Sequence, residues 1–189
     1  MPVPTPAQLG PLAALVGTWE GDAGLDVAFQ NERAAVGETP YRERTTFSPF
    51  GPVDNGDQSL FGLDYRTAAW RTGEDDPFHT EVGYWLWDAD AGQVMRCFMV
   101  PRGSTLLAGG SAAADATTFS MQAEVGSDTY GILSNQYLDV KAKTVLYQVT
   151  ITIEGPDQWS YEETTTVHLA KMDKPFAHTD RNTLKRVAG

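Results

Sequence analysis

The chain has 189 residues, of which 41% are hydrophobic and 11% aromatic, ample material for one core, while the 21% of charged residues is too low for a disordered chain. A net charge of −11 and a pI near 4.6 argue against phosphate backbones and anionic lipid surfaces as partners, so neither nucleic acid nor membrane is expected. No apolar run approaches the roughly 20 residues that cross a bilayer. The opening MPVPTPAQLG lacks the basic and apolar regions of a secretion signal, and the lone Cys97 has no internal disulfide partner, so a cytoplasmic protein is expected.

Thr5 before Pro6, an apolar run from Leu9 to Val16, and Gly17 as a stop predict a short helix over residues 6–16. After Gly17 the period changes from helical to alternating. The predicted strands are Thr18–Val27, Tyr41–Ser48, Gln58–Arg71, Phe78–Asp88, Gln93–Pro101, Ser104–Ala108, Thr117–Val125, Thr144–Ile153, Gln158–Leu169 and Ala177–Val187. Turn residues separate many of them: Pro49–Gly51, Asn55-Gly56, Asp88–Gly92, Gly109-Gly110 and Gly155–Asp157. Tyr130–Lys141 reads as an irregular loop or a turn of helix. About ten short strands after one helix predict an all-β fold: a closed antiparallel up-and-down barrel over residues 18–187, one domain spanning 1–189, with the helix covering an end.

Strand parity sorts the faces. Val145, Tyr147, Val149 and Ile151 share one face, and Trp159, Tyr161 and Glu163 share another, with His168 pointing to solvent. His79 and Glu81 stand two residues apart on one face and could form a polar pair, either orienting a ligand or tying down the rim. Met95, Cys97 and Met99 form a soft sulfur-bearing face, which reads as ordinary core filling or as a face that suits an irregular ligand, against Val94, Arg96, Phe98 and Val100 on the other side. Chemistry-bearing motifs are scarce. One Cys and three His (His79, His168, His178) make no zinc-type cluster, no Gly-rich loop opens a helix, and no Ser sits in a nucleophile elbow.

The run Leu15-Val16-Gly17-Thr18-Trp19-Glu20-Gly21, placed directly after a short helix, resembles the calycin signature, and its longer Gly-x-Trp-x-Gly form is similar to the nitrobindin family of fatty-acid-binding-protein-like barrels. His79-Thr80-Glu81-Val82-Gly83-Tyr84-Trp85 resembles that family's His-x-Glu-x-Gly-aromatic-Trp strand, and Pro175–Lys185 its last strand. The resemblance implies Gly17, Trp19 and Gly21 as structural positions, with Trp19 across the closed end. It also implies haem b, ferric chemistry with nitric oxide and peroxynitrite, and an axial His in a tail motif Pro-Leu-x-x-His-Leu-x-Ala-x-Leu. Here that tail reads Pro175-Phe176-Ala177-His178-Thr179-Asp180-Arg181-Asn182-Thr183-Leu184. Both anchors, Pro175 and Leu184, put Thr179 at the axial position, and His178 one residue early. Ala23 stands where the family has Gly, and Val94–Ala108 lacks its usual polar pattern.

Three functions follow. The first is a binding protein for a small apolar or amphipathic molecule, with no haem iron ligation and no cofactor, whose site uses His79, Glu81, Met95, Cys97, Met99, Tyr161, Thr179 and Arg181; Arg181 would hold a carboxylate with Tyr161 as hydroxyl donor, or pair structurally with Glu163. The alternative is a ferric haem b protein of peroxynitrite-isomerase type, with His178 brought to iron by a local bulge. The third is a filled-core interaction module. No catalytic residue is assigned, and a homodimer is compatible with all three.

Overall fold

The computed structural model describes residues 3–187. A four-residue helix α1 (Pro6–Leu9) runs into a 3₁₀ segment, Gly10–Leu15. The predicted helix therefore forms in two pieces, because Pro11 carries no N–H to extend the α-helical ladder. The Thr5 N–H donates to Gln8 Oε1 at 2.9 Å and starts α1.

The strands are β1 (Gly17–Gln30), β2 (Ala35–Asp54), β3 (Ser59–Arg71), β4 (His79–Asp88), β5 (Gln93–Val100), β6 (Ser104–Ser111), β7 (Thr118–Val125), β8 (Gly131–Ser134), β9 (Ala142–Gly155), β10 (Gln158–Leu169) and β11 (Phe176–Arg186), with helix α2 (Gln136–Lys141) between β8 and β9. They close into one barrel in the order β1-β11-β10-β9-β7-β8-β6-β5-β4-β3-β2. Every pairing is antiparallel except β7–β8. Closure leaves no sheet edge to aggregate.

Three segments depart from the sequence reading. Gly109-Gly110 is no turn: β6 continues through both glycines to Ser111, paired with β5. Pro49–Gly51 is no turn: β2 runs through it, and its pairing with β3 shifts register between Phe50 and Val53. The Tyr130–Lys141 stretch contains β8, too short for its alternation to register, and then α2, whose N-cap Asn135 accepts the Leu138 N–H at 2.9 Å.

The barrel interior has two zones. At the helix end Leu9, Leu12 and Leu15 pack with Trp19, Leu63, Trp85, Trp87, Trp159 and Leu184 into an apolar plug. Trp19 is 1% exposed, its indole N–H donates to the Leu15 carbonyl at 2.7 Å, and Arg186 lies over its ring at 4.1 Å. The flanking glycines follow from this packing. Gly17 has φ +124°, and a Cβ there would meet Arg186 Nη1 at 2.7 Å; a Cβ on Gly21 would meet the Thr183 carbonyl at 2.6 Å. The opposite end is open and polar. Among the described residues no helix is long and apolar enough to cross a membrane.

Candidate functional site: a carboxylate-lined chamber in the barrel

The open end leads into a cavity of about 820 Å³, within the range of small-molecule sites. The barrel is therefore not filled throughout by its own side chains, as an interaction module would have it. Strand alternation aims every second residue inward: Asp26 from β1, Tyr41, Glu43 and Thr45 from β2, Tyr65 and Thr67 from β3, His79 and Glu81 from β4, Arg96 from β5, Tyr161 and Glu163 from β10, and His178 and Asp180 from β11. Phe29, Phe47, Phe78 and Trp85 supply aromatic wall.

Arg96 anchors one side. It donates through Nη2 to Glu81 at 2.6 Å and through Nη1 to Glu163 at 3.0 Å, and it also donates to the Tyr147 hydroxyl. The Tyr65 hydroxyl donates to Glu81 at 2.8 Å, and that of Tyr147 donates to Glu163 at 2.7 Å. The His79 Nε2 lies 3.0 Å from Glu81 Oε1. Burial alone raises the Glu81 carboxyl, but Arg96 and His79 outweigh it and bring it down to about 2. Burial likewise disfavours the charged imidazole of His79, and the Glu81 hydrogen bond and charge carry it up to about 9. At Glu163 burial wins over Arg96 and the carboxyl is raised.

A second network spans β2, β3, β10 and β11. Glu43 Oε1 accepts from Thr45 at 3.0 Å and Thr67 at 2.9 Å, and Oε2 accepts from Tyr161 at 2.9 Å and Asn182 at 3.0 Å. The Tyr41 hydroxyl bonds Tyr161 at 2.8 Å and donates to Asp180. Burial, then the nearby Glu163 charge, pushes Asp180 up to about 7. Beside it, His178 Nε2 lies 2.5 Å from Asp26 Oδ1. Burial works against the charged imidazole, and Asp26 more than offsets it, so the His178 pKa is raised.

The structure brings His79, Glu81 and Tyr161 to the cavity wall. It corrects five other positions. Met95, Cys97 and Met99 lie on the outer face of β5, because its buried set is Val94, Arg96 and Phe98; Met99 is 55% exposed. Thr179 and Arg181 also point away from the cavity, since β11 turns His178, Asp180, Asn182 and Leu184 inward. The bulge expected to bring His178 round is not needed, for β10 and β11 pair without a register shift across it. Arg181 is exposed, so Glu163 pairs with Arg96 instead. The sequence reading missed Arg96, Asp26, Glu43 and Asp180. For Arg96 a signal existed: a lone charge flanked by Val94 and Phe98 on one face needs a buried counter-charge, and the faces carrying Glu81 with Trp85 and Glu163 with Trp159 offer one.

A family described as THAP4-like, heme-binding beta-barrel domain matches residues 8–186. The chain belongs to this family. The resemblance to nitrobindin-type barrels drawn from Gly17–Gly21, His79–Trp85 and the tail thus holds across nearly the whole chain. Among curated proteins it is 34% identical over 102 residues to a peroxynitrite isomerase of Clavibacter sepedonicus, covering 50% of this chain and 46% of that protein. A peroxynitrite isomerase of Leifsonia xyli subsp. xyli is 34% identical over 108 residues, 54% of this chain and 49% of the relative. The matched stretch thus spans about half the length of these relatives. The crystal structure of Rv2717c from M. tuberculosis superposes with a TM-score of 0.68 at 17% identity, covering 99% of this chain and 100% of the other, which shows a shared fold. A haem-binding barrel family points to a small-molecule ligand inside the barrel.

Proposed function

We propose that this barrel holds ferric haem b with His178 as the axial ligand and acts on peroxynitrite, as the names of its relatives indicate for them. The observation that carries the proposal is the inward face of β11. The imidazole of His178 enters the cavity with Nε2 held by Asp26, and Nδ1 has no hydrogen-bond partner among the described residues. A metal-binding imidazole commonly has its other nitrogen on a carboxylate, which fixes the ring and raises its basicity. The cavity volume and the aromatic walls of Phe29, Phe47, Phe78 and Trp85 suit a large flat cofactor.

Bound haem would supply a ferric centre at which nitric oxide or peroxynitrite coordinates. The chain's own contributions are separable from it. Asp26 orients the His178 ring and balances the charge of its protonated imidazole. Arg33, Arg71 and Arg102 at the rim offer cations to carboxylates at the solvent edge of a cofactor. Tyr41 orients Asp180, and Tyr161 and Asn182 orient Glu43, so these carboxylates are held in place by the chain itself.

The test is a hemin titration of the apo-protein followed by absorbance. The wild type should saturate at one equivalent with a ferric Soret band. His178→Ala should lose that band, and Thr179→His should leave it unchanged because residue 179 points outward. A wild type that shows no saturable binding, or a His178→Ala protein that binds as well, would return the barrel to the reading of a small-molecule carrier without iron ligation.

A further inference from the structure

The outer wall of the barrel is not polar all round. Across β4, β5 and β6, the outward-facing residues between Thr80 and Leu86, Met95 and Met99, and Thr105 and Gly109 include no charged group, although 21% of the chain is charged. Val82, Tyr84, Met99 and, on β8, Leu133 leave 45%, 49%, 55% and 72% of their surface exposed there. Strand register sets these side chains in two neighbouring rows. One row runs Asp64, Tyr84, Cys97 and Leu107, and the other runs Arg66, Val82, Met99, Thr105 and Leu133. Phe50 from β2 packs edge-on against Tyr84 at 5.3 Å, and a Cβ on Gly62 beneath would meet the Phe50 ring at 2.9 Å, so the aromatic pair is seated closely on the wall.

A contiguous exposed apolar face marks an interaction site, and Tyr and Met are side chains that interfaces concentrate. The charges that frame the face say what covers it. Asp64 and Arg66 stand two apart on β3, one at the head of each row; both are exposed, and neither is in an ion pair among the described residues. We propose that this face binds a second copy of the chain about a two-fold axis lying between the two rows, at right angles to the strands. Such an axis exchanges the rows. Asp64 then faces Arg66 of the partner subunit, Tyr84 faces Val82 of the partner subunit, and Cys97 faces Met99 of the partner subunit. Because the contact is isologous, each of these pairs forms twice. An axis along the strands would instead set the two charges against uncharged neighbours or against themselves. The sulfur-bearing face of β5, which lines no cavity, gains a role here, since flexible Met side chains fill the gaps between two convex walls. Five strands about 4.8 Å apart, over roughly seven residues of about 3.4 Å each, give a face of about 500 Å² per copy. A pair would cover about 1,000 Å², the lower bound of a specific interface, so the association is reversible and in the micromolar range. It is independent of what the chamber holds.

The test is sedimentation equilibrium of the whole chain from about 1 to about 200 µM. The wild type should show a 20.6 kDa monomer in equilibrium with a species of twice that mass. Tyr84→Lys should weaken the association at least about tenfold, with far-ultraviolet circular dichroism unchanged. Asp64→Arg and Arg66→Asp each bring like charges together twice, and each should weaken it at least about tenfold. The double variant Asp64→Arg/Arg66→Asp restores the pairing and should return to within about threefold of the wild type. A chain that stays monomeric throughout that range would overturn the proposal. So would a dimer indifferent to Tyr84→Lys, or a double variant no tighter than the single ones, since either places the contact on another face or about another axis.

Discussion

Nε2 of His178 lies 2.5 Å from Oδ1 of Asp26, across the seam where β11 pairs with β1. The Asp26 side chain is 11% exposed and that of His178 is 37% exposed, so the carboxylate is the buried member and the imidazole the one that reaches the cavity. Removing such a supporting carboxylate typically costs 10- to 100-fold in metal affinity. Asp26→Ala should therefore weaken hemin binding by about that factor, with Asp26→Asn closer to wild type, while far-ultraviolet circular dichroism stays unchanged. Equal hemin affinity in both variants would mean that Asp26 does not support the ligand.

Trp19 plugs the closed end between the 3₁₀ segment and Trp159, its ring 6.4 Å edge-on from that neighbour. Truncating a buried Trp costs about 3–5 kcal/mol. Trp19→Ala should lower the urea midpoint accordingly at unchanged slope. An unchanged midpoint would show that the Gly-x-Trp-x-Gly run carries no packing role.

The barrel was legible because most strands alternate one apolar face with one polar face and end at turn residues. Tyr147, Val149 and Ile151 on β9 are buried as that rule requires. β5 escaped it because neither of its faces is polar: Met95, Cys97 and Met99 look more apolar than a face containing Arg96, yet Arg96 is the buried one. Its burial depends on Glu81 from the neighbouring β4 and Glu163 from the distant β10, partners that the pattern of β5 by itself does not report. β11 failed for a related reason. Both of its faces are polar, so hydrophobic parity gave no orientation until Leu184, 0% exposed, fixed His178 on the same side. The ungapped alignment to the tail motif picks out Thr179, which lies on the outer face of β11, while its neighbour His178 lies on the inner face; one residue in a strand is the whole barrel wall.

His79 and Glu81 make a second test, this time of pH. The folded-state pKa of His79 is raised to about 9 from an ordinary 6.5, so its contribution to stability is complete below 6.5 and is lost as pH rises through 9. That of Glu81 is lowered to about 2 from 4.5, so its contribution is complete above 4.5 and is lost as pH falls through 2. The pair stabilises the fold fully only between those limits. Following the His79 ring protons by NMR should give a midpoint well above the ordinary 6.5, and Glu81→Gln should move it downward. A His79 midpoint near 6.5 would show that the pair does not form in solution.

Arg96 is the residue whose loss should be felt most. It is 8% exposed and is the one cation between Glu81 and Glu163, with Tyr65 and Phe98 also against its guanidinium. Taking away one member of a buried ion pair leaves an uncompensated charge and typically costs about 3–5 kcal/mol. Arg96→Met keeps most of the apolar stem and leaves two carboxylates facing each other. It should destabilise the protein by about that amount at neutral pH and by markedly less in mild acid, where the two groups can share protons. Adding Glu81→Gln and Glu163→Gln removes the stranded charges, and the triple variant should regain much of the lost stability, because replacing a whole buried ionic cluster by neutral groups is often close to neutral. Urea unfolding of the single and triple variants at two pH values separates the terms. A single variant as stable as wild type, or a triple variant no better than the single, would show that Arg96 serves as packing rather than as the counter-charge of the chamber.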